Sequence, residues 1–246
     1  MKTQITLVGA IQKDPELRYT PEGRAILNFT VAGTEGKKPW FHQVSVFGKF
    51  AEAIGERIKA GTIVAITGEL VQRRWQNEAG EPRSAVNIQA DSVRVLSAAG
   101  HDLIQDARGG FRLAGGINKV HGYGNLVKAP VLRTTQSGTP VANGTVAVNR
   151  VYTSGGDKKE EVSYFDLTAW EEAAKLLAQQ TKGTGVFFEG ALENDSFETQ
   201  SGGKRYVTRI NVSALYPAER KLADQGEGEA VAASAAGQPA EEDLPF

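Results

Sequence analysis

The feature that most constrains the fold is a block at residues 68–96 that occurs a second time at residues 190–217. In the first copy, side chains alternate between apolar and polar up to Gln76, turn-forming residues follow at 77–82, and a second alternating run begins. This pattern predicts a β-hairpin. The two copies match without a gap at Gly68/Gly190, Leu70/Leu192, Gly80/Gly202, Arg83/Arg205 and Ile88/Ile210. A repeat at so long a spacing indicates a duplicated domain rather than a solenoid.

The residues before the first copy predict the rest of one domain. Alternating runs indicate strands at residues 5–11, 25–32, 40–47 and 62–67, with a hairpin extension at 16–19. Between the last two runs, apolar residues follow helical spacing over residues 50–60, and Gly61 closes the helix. Three strands, one helix and two strands is the order of an OB-fold, a five-stranded Greek-key barrel.

The second half of the chain repeats that order. Gly124 aligns with Gly9, residues 129–133 align with 14–18, and Trp170 precedes a predicted helix at 171–180. One difference is a longer loop, residues 149–161, before the third strand. We therefore predict an all-β protein with one short helix per domain, built from two tandem OB-fold barrels.

Composition divides the chain further. We predict a first OB-fold at residues 1–97, a connector without a core face at 98–115, a second OB-fold at 116–217 and a disordered acidic tail at 218–246. Residues 224–246 contain six acids and no Lys or Arg, so residues 1–223 carry 28 bases against 23 acids. A mildly basic body with an acidic tail suggests a polyanionic partner and a separate role for the tail.

Several classes of function find no support in the sequence. The chain has no cysteine, its three histidines are scattered, and no phosphate-binding glycine loop follows a strand. We therefore expect neither an enzyme, nor a metal site, nor a cofactor. The sequence has no apolar run near 18 residues and no signal peptide at its start, which favours a cytoplasmic protein.

Aromatic residues lie beside cations in the first domain. The aromatics are Trp40, Phe41, Phe47 and Trp75, and the nearby cations include Lys49, Arg73 and Arg74. Aromatic rings stack on exposed bases and cations neutralise phosphates, so this pairing suits single-stranded nucleic acid. Phe47 alone is equally consistent with a core position. Trp40 and Phe41 are adjacent in a strand, so one should face the core and the other the solvent.

Three motifs in order resemble the bacterial single-stranded DNA-binding protein family. They are ITLVG at residues 5–9 with DPELRY at 14–19, FHQVSVFGK at 41–49, and the Gly68 block with Arg74 and Trp75. Two OB-folds in one chain resemble the Deinococcus–Thermus variety of that family. The resemblance implies base stacking by Phe41 or Trp40, Phe47 and Trp75, and backbone contacts by Lys49 and Arg74. Arg73 is a further candidate because it lies beside these residues in the sequence.

In the second domain the resemblance implies a weaker version of the same site. Tyr164, Trp170 and Phe197 keep the aromatic positions, and Lys204 and Arg205 are the candidate cations. Acidic or neutral residues replace cations elsewhere, since residues 171–172 are both Glu and residues 195–196 are Asp-Ser. The family usually works with four OB-folds per particle, so a homodimer is implied.

The end of the chain resembles the partner-binding tip of the same family. The tip consists of Glu241, Glu242, Asp243, Leu244, Pro245 and Phe246. Its apolar anchors and acids suit a basic groove on another protein, and the resemblance implies recruitment of replication, recombination and repair proteins. Two other functions stay open: an RNA-binding or RNA-chaperone protein, and an adaptor whose OB-folds bind only proteins.

Overall fold

A computed structural model describes residues 3–76, 80, 82–154, 157–198 and 204–218. The first half contains β1 (Gln4–Ile11), β2 (Glu16–Tyr19), β3 (Ala25–Glu35), β4 (Lys38–Phe47), α1 (Lys49–Gly55), β5 (Ile63–Gln76) and β6 (Pro82–Val95). The segment between the halves contains β7 (Leu103–Gln105) and β8 (Phe111–Leu113). The second half contains β9 (Ile117–Leu126), β10 (Val131–Thr134), β11 (Pro140–Ser154), β12 (Asp157–Trp170), α2 (Glu171–Ala178), β13 (Gly185–Glu198) and β14 (Lys204–Pro217). Neither α1 nor α2, the helices of these ranges, is long and apolar enough to cross a membrane.

Each half closes into a five-stranded barrel. In the first, β1 pairs with β5, β5 with β6, β6 with β4, β4 with β3, and β3 returns to β1. The pairing of β4 with β6 is parallel, and all the others are antiparallel. The second half repeats this circuit with β9, β13, β14, β12 and β11, again with one parallel pair. The predicted fold class, two tandem OB-fold barrels with one short helix each, is confirmed.

The barrel cores come from strict alternation along the strands. On β4, Trp40, His42, Val44 and Val46 are buried, while the residues between them reach the surface. Successive side chains of a strand point to opposite faces, so one face fills the barrel and the other faces outward. The core of the second barrel includes the fully buried Phe165 and Phe188.

The first helix is shorter than the sequence predicted. We expected a helix over residues 50–60, but α1 ends at Gly55, a residue that costs helices about 1 kcal/mol relative to alanine. Ile58 is nevertheless buried, because its backbone N–H bonds to the Ile54 carbonyl in a turn after the helix. The apolar spacing over residues 50–60 therefore predicted the burial of Ile58 correctly but not the length of the helix. The second helix also ends early, at Ala178 rather than residue 180.

The segment between the barrels was predicted to lack a core face, and this was wrong. Its strands β7 and β8 form a small antiparallel hairpin that lies on the first barrel. Leu113 is buried against Ala10 and Ile63, and the Phe111 N–H donates to the Gln12 carbonyl at 2.9 Å. The connector therefore adds apolar cover to the first barrel.

The long loop predicted at residues 149–161 is also different in the structure. Strands β11 and β12 continue as a paired ribbon through this region, from Asn149↔Val162 to Ser154↔Asp157. At its base the Arg150 guanidinium forms an ion pair with the buried Glu69 carboxylate of the first barrel. The extra residues therefore reach across to the other barrel instead of forming an irregular loop.

The two barrels are joined through a shared sheet. Strand β1 pairs antiparallel with β9, from Gln4↔His121 to Val8↔Ile117. Two side-chain amides, at equivalent positions of the repeat, also form hydrogen bonds between the barrels. The Gln72 side chain accepts a hydrogen bond from the Tyr164 N–H at 3.2 Å, and Asn194 donates to the Phe41 carbonyl at 2.8 Å. These contacts fix one barrel against the other.

Candidate nucleic-acid interface

The outward face of β4 carries two of the predicted base-stacking aromatics. Phe41 and Phe47 are half-buried on this face, with Gln43 and Ser45 between them. The Arg24 guanidinium lies 5.1 Å from the centre of the Phe47 ring, a cation–π contact that no local sequence pattern indicates. Lys49 follows as the exposed first residue of α1. Two aromatics thus share the outward face of β4, and the two cations lie at its Phe47 end.

Trp40, which the sequence offered as an alternative to Phe41, is not on this face. Only 8% of Trp40 is exposed, and its ring stacks on His42 with centroids 5.4 Å apart. Burial lowers the pKa of His42 to about 4, so this imidazole is neutral at pH 7. A buried tryptophan on a neutral histidine is a core pair, and we therefore remove Trp40 from the candidate stacking residues.

The outer end of β5 carries the other aromatic and two cations. Trp75 is 49% exposed, and Arg73 and Arg74 are also exposed. The Arg74 guanidinium donates to the Val162 carbonyl at 3.3 Å and lies 5.2 Å from the centre of the Tyr164 ring. The outer end of β5 in the first barrel therefore contacts β12 of the second barrel.

On β12 the predicted aromatics lie on one exposed face. Tyr164 and Trp170 are 38% and 42% exposed, and Asp166 lies between them. The Asp166 carboxylate accepts a hydrogen bond from the Thr145 hydroxyl at 2.8 Å. After Trp170 the chain enters α2 with two glutamates in its first turn. This row keeps the aromatic spacing of the first barrel but carries acids where that barrel has a neutral or basic residue.

Three predicted residues of the second barrel are described only by their backbone. Phe197 pairs with Arg205, and Glu198 with Lys204, at the outer ends of β13 and β14. The first barrel has the equivalent pair Trp75↔Arg83. The side chains at 197, 204 and 205 lie outside the described part of the structure, as does the whole tip at residues 241–246.

The fold and this surface define a class of protein: two linked OB-fold barrels with a row of aromatic and cationic side chains that passes from one to the other. The model of the single-strand binding protein family matches residues 2–96 and 117–217. A single-stranded DNA-binding protein of Deinococcus radiodurans is 37% identical over an alignment of 243 positions that covers 94% of this chain and 80% of that protein. One from Thermus aquaticus is 33% identical over an alignment of 261 positions that covers 99% of this chain and 98% of the relative.

The solved structure of the wild-type Thermus aquaticus single-stranded DNA-binding protein is also similar. It matches with a TM-score of 0.71 and 29% sequence identity, over 91% of this chain and 96% of that chain. The chain belongs to the single-strand binding protein family, and within it to the two-OB-fold Deinococcus–Thermus type.

Proposed function

We propose that this chain binds single-stranded DNA with little dependence on base sequence. Bases would stack on Phe41, Phe47 and Trp75, and Lys49, Arg73 and Arg74 would neutralise the phosphates. The contact between Arg74 and the Tyr164 ring is the main support for the proposal. It joins the cationic outer end of β5 in one barrel to the exposed aromatics of β12 in the other. One strand would then follow a continuous path over both barrels and be protected along it.

The second barrel would stack bases with a smaller electrostatic contribution. Tyr164 and Trp170 present rings, while Asp166, Glu171 and Glu172 add negative charge to the same surface. We expect Phe197, Lys204 and Arg205 to extend this surface at the end of its hairpin. The boundaries 1–97 and 116–217 delimit the two proposed DNA-binding units, with the connector 98–115 between them.

We expect a protein with this function to lie with the chromosome in the bacterial cytoplasm.

A titration with oligo(dT) of increasing length, followed by tryptophan fluorescence, tests the proposal. Trp40 is buried, so quenching should come from the exposed Trp75 and Trp170. We expect strong quenching on binding. The logarithm of the binding constant should fall with the logarithm of the salt concentration, with a slope of about −0.7 per phosphate contact. Duplex DNA and RNA of the same length should compete poorly. Equal competition by RNA would favour the RNA-binding function, and absence of any binding would favour a protein adaptor.

We further propose that two chains pair, giving four OB-folds per particle. The outer face of the second barrel supports this, because Tyr123, Phe187 and Tyr216 lie side by side on β9, β13 and β14. Phe187 and Tyr216 have ring centroids 6.0 Å apart, and Tyr216 is exposed. A ladder of aromatics on a sheet face is a suitable interface for a second copy. Light scattering should give twice the chain mass of 26.4 kDa, and a mass of one chain would contradict this pairing.

We propose that the tip at residues 241–246 recruits replication, recombination and repair proteins. Deleting these six residues should abolish the retention of such proteins from a bacterial extract on oligo(dT)-bound protein. Affinity for oligo(dT) should stay equal or rise slightly, since acids that compete with DNA for the cationic surface are removed. Mass spectrometry of the retained proteins and an anisotropy titration measure the two effects. A clear loss of DNA affinity on deletion would contradict the proposal.

A further inference from the structure

The connector hairpin of β7 and β8 distinguishes the first barrel from the second. The chain leaves both barrels in the same way: the Leu96 N–H donates to the Ile63 carbonyl at 2.8 Å. In the second barrel the Ala218 N–H donates to the Gly185 carbonyl at 2.7 Å. After Leu96 the hairpin folds back and packs on this end of the first barrel. Among the described residues nothing covers the equivalent end of the second barrel, where a pocket of about 220 Å³ lies.

Hydrogen bonds join the hairpin to the proposed DNA-binding face of the first barrel. The Gln12 N–H donates to the Thr30 carbonyl at 2.9 Å, and the Gln12 carbonyl accepts from the Phe111 N–H at 2.9 Å. Thr30 in turn pairs with Gln43 of β4. Because neighbouring strands lie about 4.8 Å apart, these three steps place β8 within roughly 14 Å of Gln43. The hairpin thus lies at the edge of the face formed by β3 and β4.

The strand register leads to the same edge by a second route. Phe41 of β4 pairs with Ala32 of β3. Ala32 also pairs with Ala10 of β1, and Leu113 of the hairpin is buried against Ala10. Two strand steps therefore separate the proposed stacking residue Phe41 from the position that the hairpin covers.

The turn between β7 and β8 is held by an aspartate. The Asp106 Oδ1 accepts hydrogen bonds from the Arg108 N–H at 2.8 Å and from the Gly110 N–H at 2.9 Å. These two N–H groups lower the pKa of the Asp106 carboxyl, and the positive charges of Arg112 and Lys13 lower it further. The turn is therefore ordered by its own backbone, and two more cations lie near it.

Three cations surround this turn, and none of them forms an ion pair within the described ranges. They are Lys13, Arg108 and Arg112, which we call the connector patch. Lys13 and Arg108 are exposed, and the buried Nε of Arg112 has no hydrogen-bond partner among described residues. The Asp14 carboxylate beside Lys13 already accepts from the Ala60 N–H at 2.9 Å. The connector patch therefore presents more positive than negative charge to a ligand.

We propose that the connector patch binds phosphates of the single strand where it passes the edge of β3. Two of its three cations are arginines, whose planar guanidinium groups can donate two parallel hydrogen bonds to a phosphate. The cations at the Phe47 end of β4 and at the outer end of β5 lie on other sides of the same face. Phosphate contacts carry no base preference, so the patch would add affinity without sequence dependence. The inference rests on the proposed single-stranded DNA binding and adds to it a role for the connector.

The double variant Arg108→Gln/Arg112→Gln tests the connector patch, because it removes two charges and keeps polar side chains. The probe is labelled oligo(dT), long enough to saturate the tryptophan quenching, titrated between about 0.1 M and 1 M salt. The slope of log binding constant against log salt concentration should become shallower by about 1.4, or about 0.7 for each of two phosphate contacts. This corresponds to roughly 25-fold weaker binding at about 0.1 M salt and to little change near 1 M.

Two further double variants separate phosphate binding from other effects. Arg57→Gln/Lys182→Gln removes the same charge at exposed positions in the turns after α1 and α2, and should leave the slope unchanged. Arg108→Lys/Arg112→Lys keeps both charges and should keep the slope close to that of the unaltered protein. If the glutamine double variant does not fold, Arg108→Gln alone, at an exposed position, should make the slope shallower by about 0.7.

Three results overturn the inference. An unchanged slope in the glutamine variants shows that the patch contacts no phosphate. An equal change in Arg57→Gln/Lys182→Gln shows that only the net charge of the protein matters. Weaker binding with an unchanged slope shows that the arginines support the fold and not the ligand. Failure of the unaltered protein to bind any single strand is a different result, because it refutes the proposed function as well.

Discussion

Replacing Gly68 with alanine is expected to lower the free energy of unfolding by about 3 kcal/mol, the upper part of the range for overpacking a core by one methyl group. A Cβ on Gly68 would lie 2.3 Å from the Gln89 carbonyl oxygen and 2.9 Å from the Ala90 Cα. Both are backbone atoms of the paired strand β6, so neither can rotate away. The register of β5 against β6 shifts between Thr67 and Gly68, which places the two backbones in this close approach.

The second barrel makes the same prediction independently. A Cβ on Gly190 would lie 2.1 Å from the Asn211 carbonyl oxygen, next to a register shift between Glu189 and Gly190. Gly144→Ala is the control, because its Cβ would find its nearest atom at 3.4 Å, an ordinary contact. In thermal and urea unfolding, both Gly68→Ala and Gly190→Ala should have a clearly lower unfolding temperature and free energy of unfolding than the control. If the two variants unfold at the same temperature as Gly144→Ala, the paired strands accommodate the added methyl group by a small shift that costs little free energy.

These glycines illustrate what the sequence could and could not establish. The match of Gly68 with Gly190 was visible in the repeat, and with the alternating runs it predicted the duplicated barrels. The reason for a glycine there was not visible, because the contact is with a strand about twenty residues further on that the sequence pairs only approximately. Local periodicity thus established the fold class, while the register shift belongs to the packed structure.

The errors in the predicted fold have the same origin. In the connector, Phe111 and Leu113 alternate like a strand, but the run is too short to stand out from a loop. Its burial depends on Ala10 and Ile63, which are distant in sequence. The paired ribbon of β11 and β12 was predicted as a loop because residues 157–160 are charged and exposed on both faces of the strand, so burial leaves no alternation to detect there.

The candidate site was predicted in composition but not in arrangement. Alternation required one of Trp40 and Phe41 to face inward, and only the structure shows that it is Trp40. The contact of Arg74 with Tyr164 joins two domains, and no local pattern encodes it.

Trp75→Ala is expected to weaken binding of oligo(dT) by about 2 kcal/mol, or roughly thirty-fold, the usual effect of removing one stacking ring. Trp75 lies near the outer end of β5, half exposed and opposite Arg83, where no core depends on it. The unfolding temperature should therefore hardly change, since exposed substitutions usually alter stability by less than about 0.5 kcal/mol. Loss of affinity without loss of stability is the signature of a ring that contacts the ligand.

The matched variant is Trp75→Phe, which keeps a stacking ring of smaller area. It should retain most of the affinity in an anisotropy titration with labelled oligo(dT), while Trp75→Ala does not. Intrinsic fluorescence gives a second readout, because either variant leaves Trp170 as the exposed tryptophan of the described chain and should reduce the quenching. If alanine and phenylalanine bind equally well, stacking at this position contributes nothing. The affinity would then come from the other aromatic rings and from the cations, and the salt dependence, which counts the phosphate contacts, should be the same in both variants.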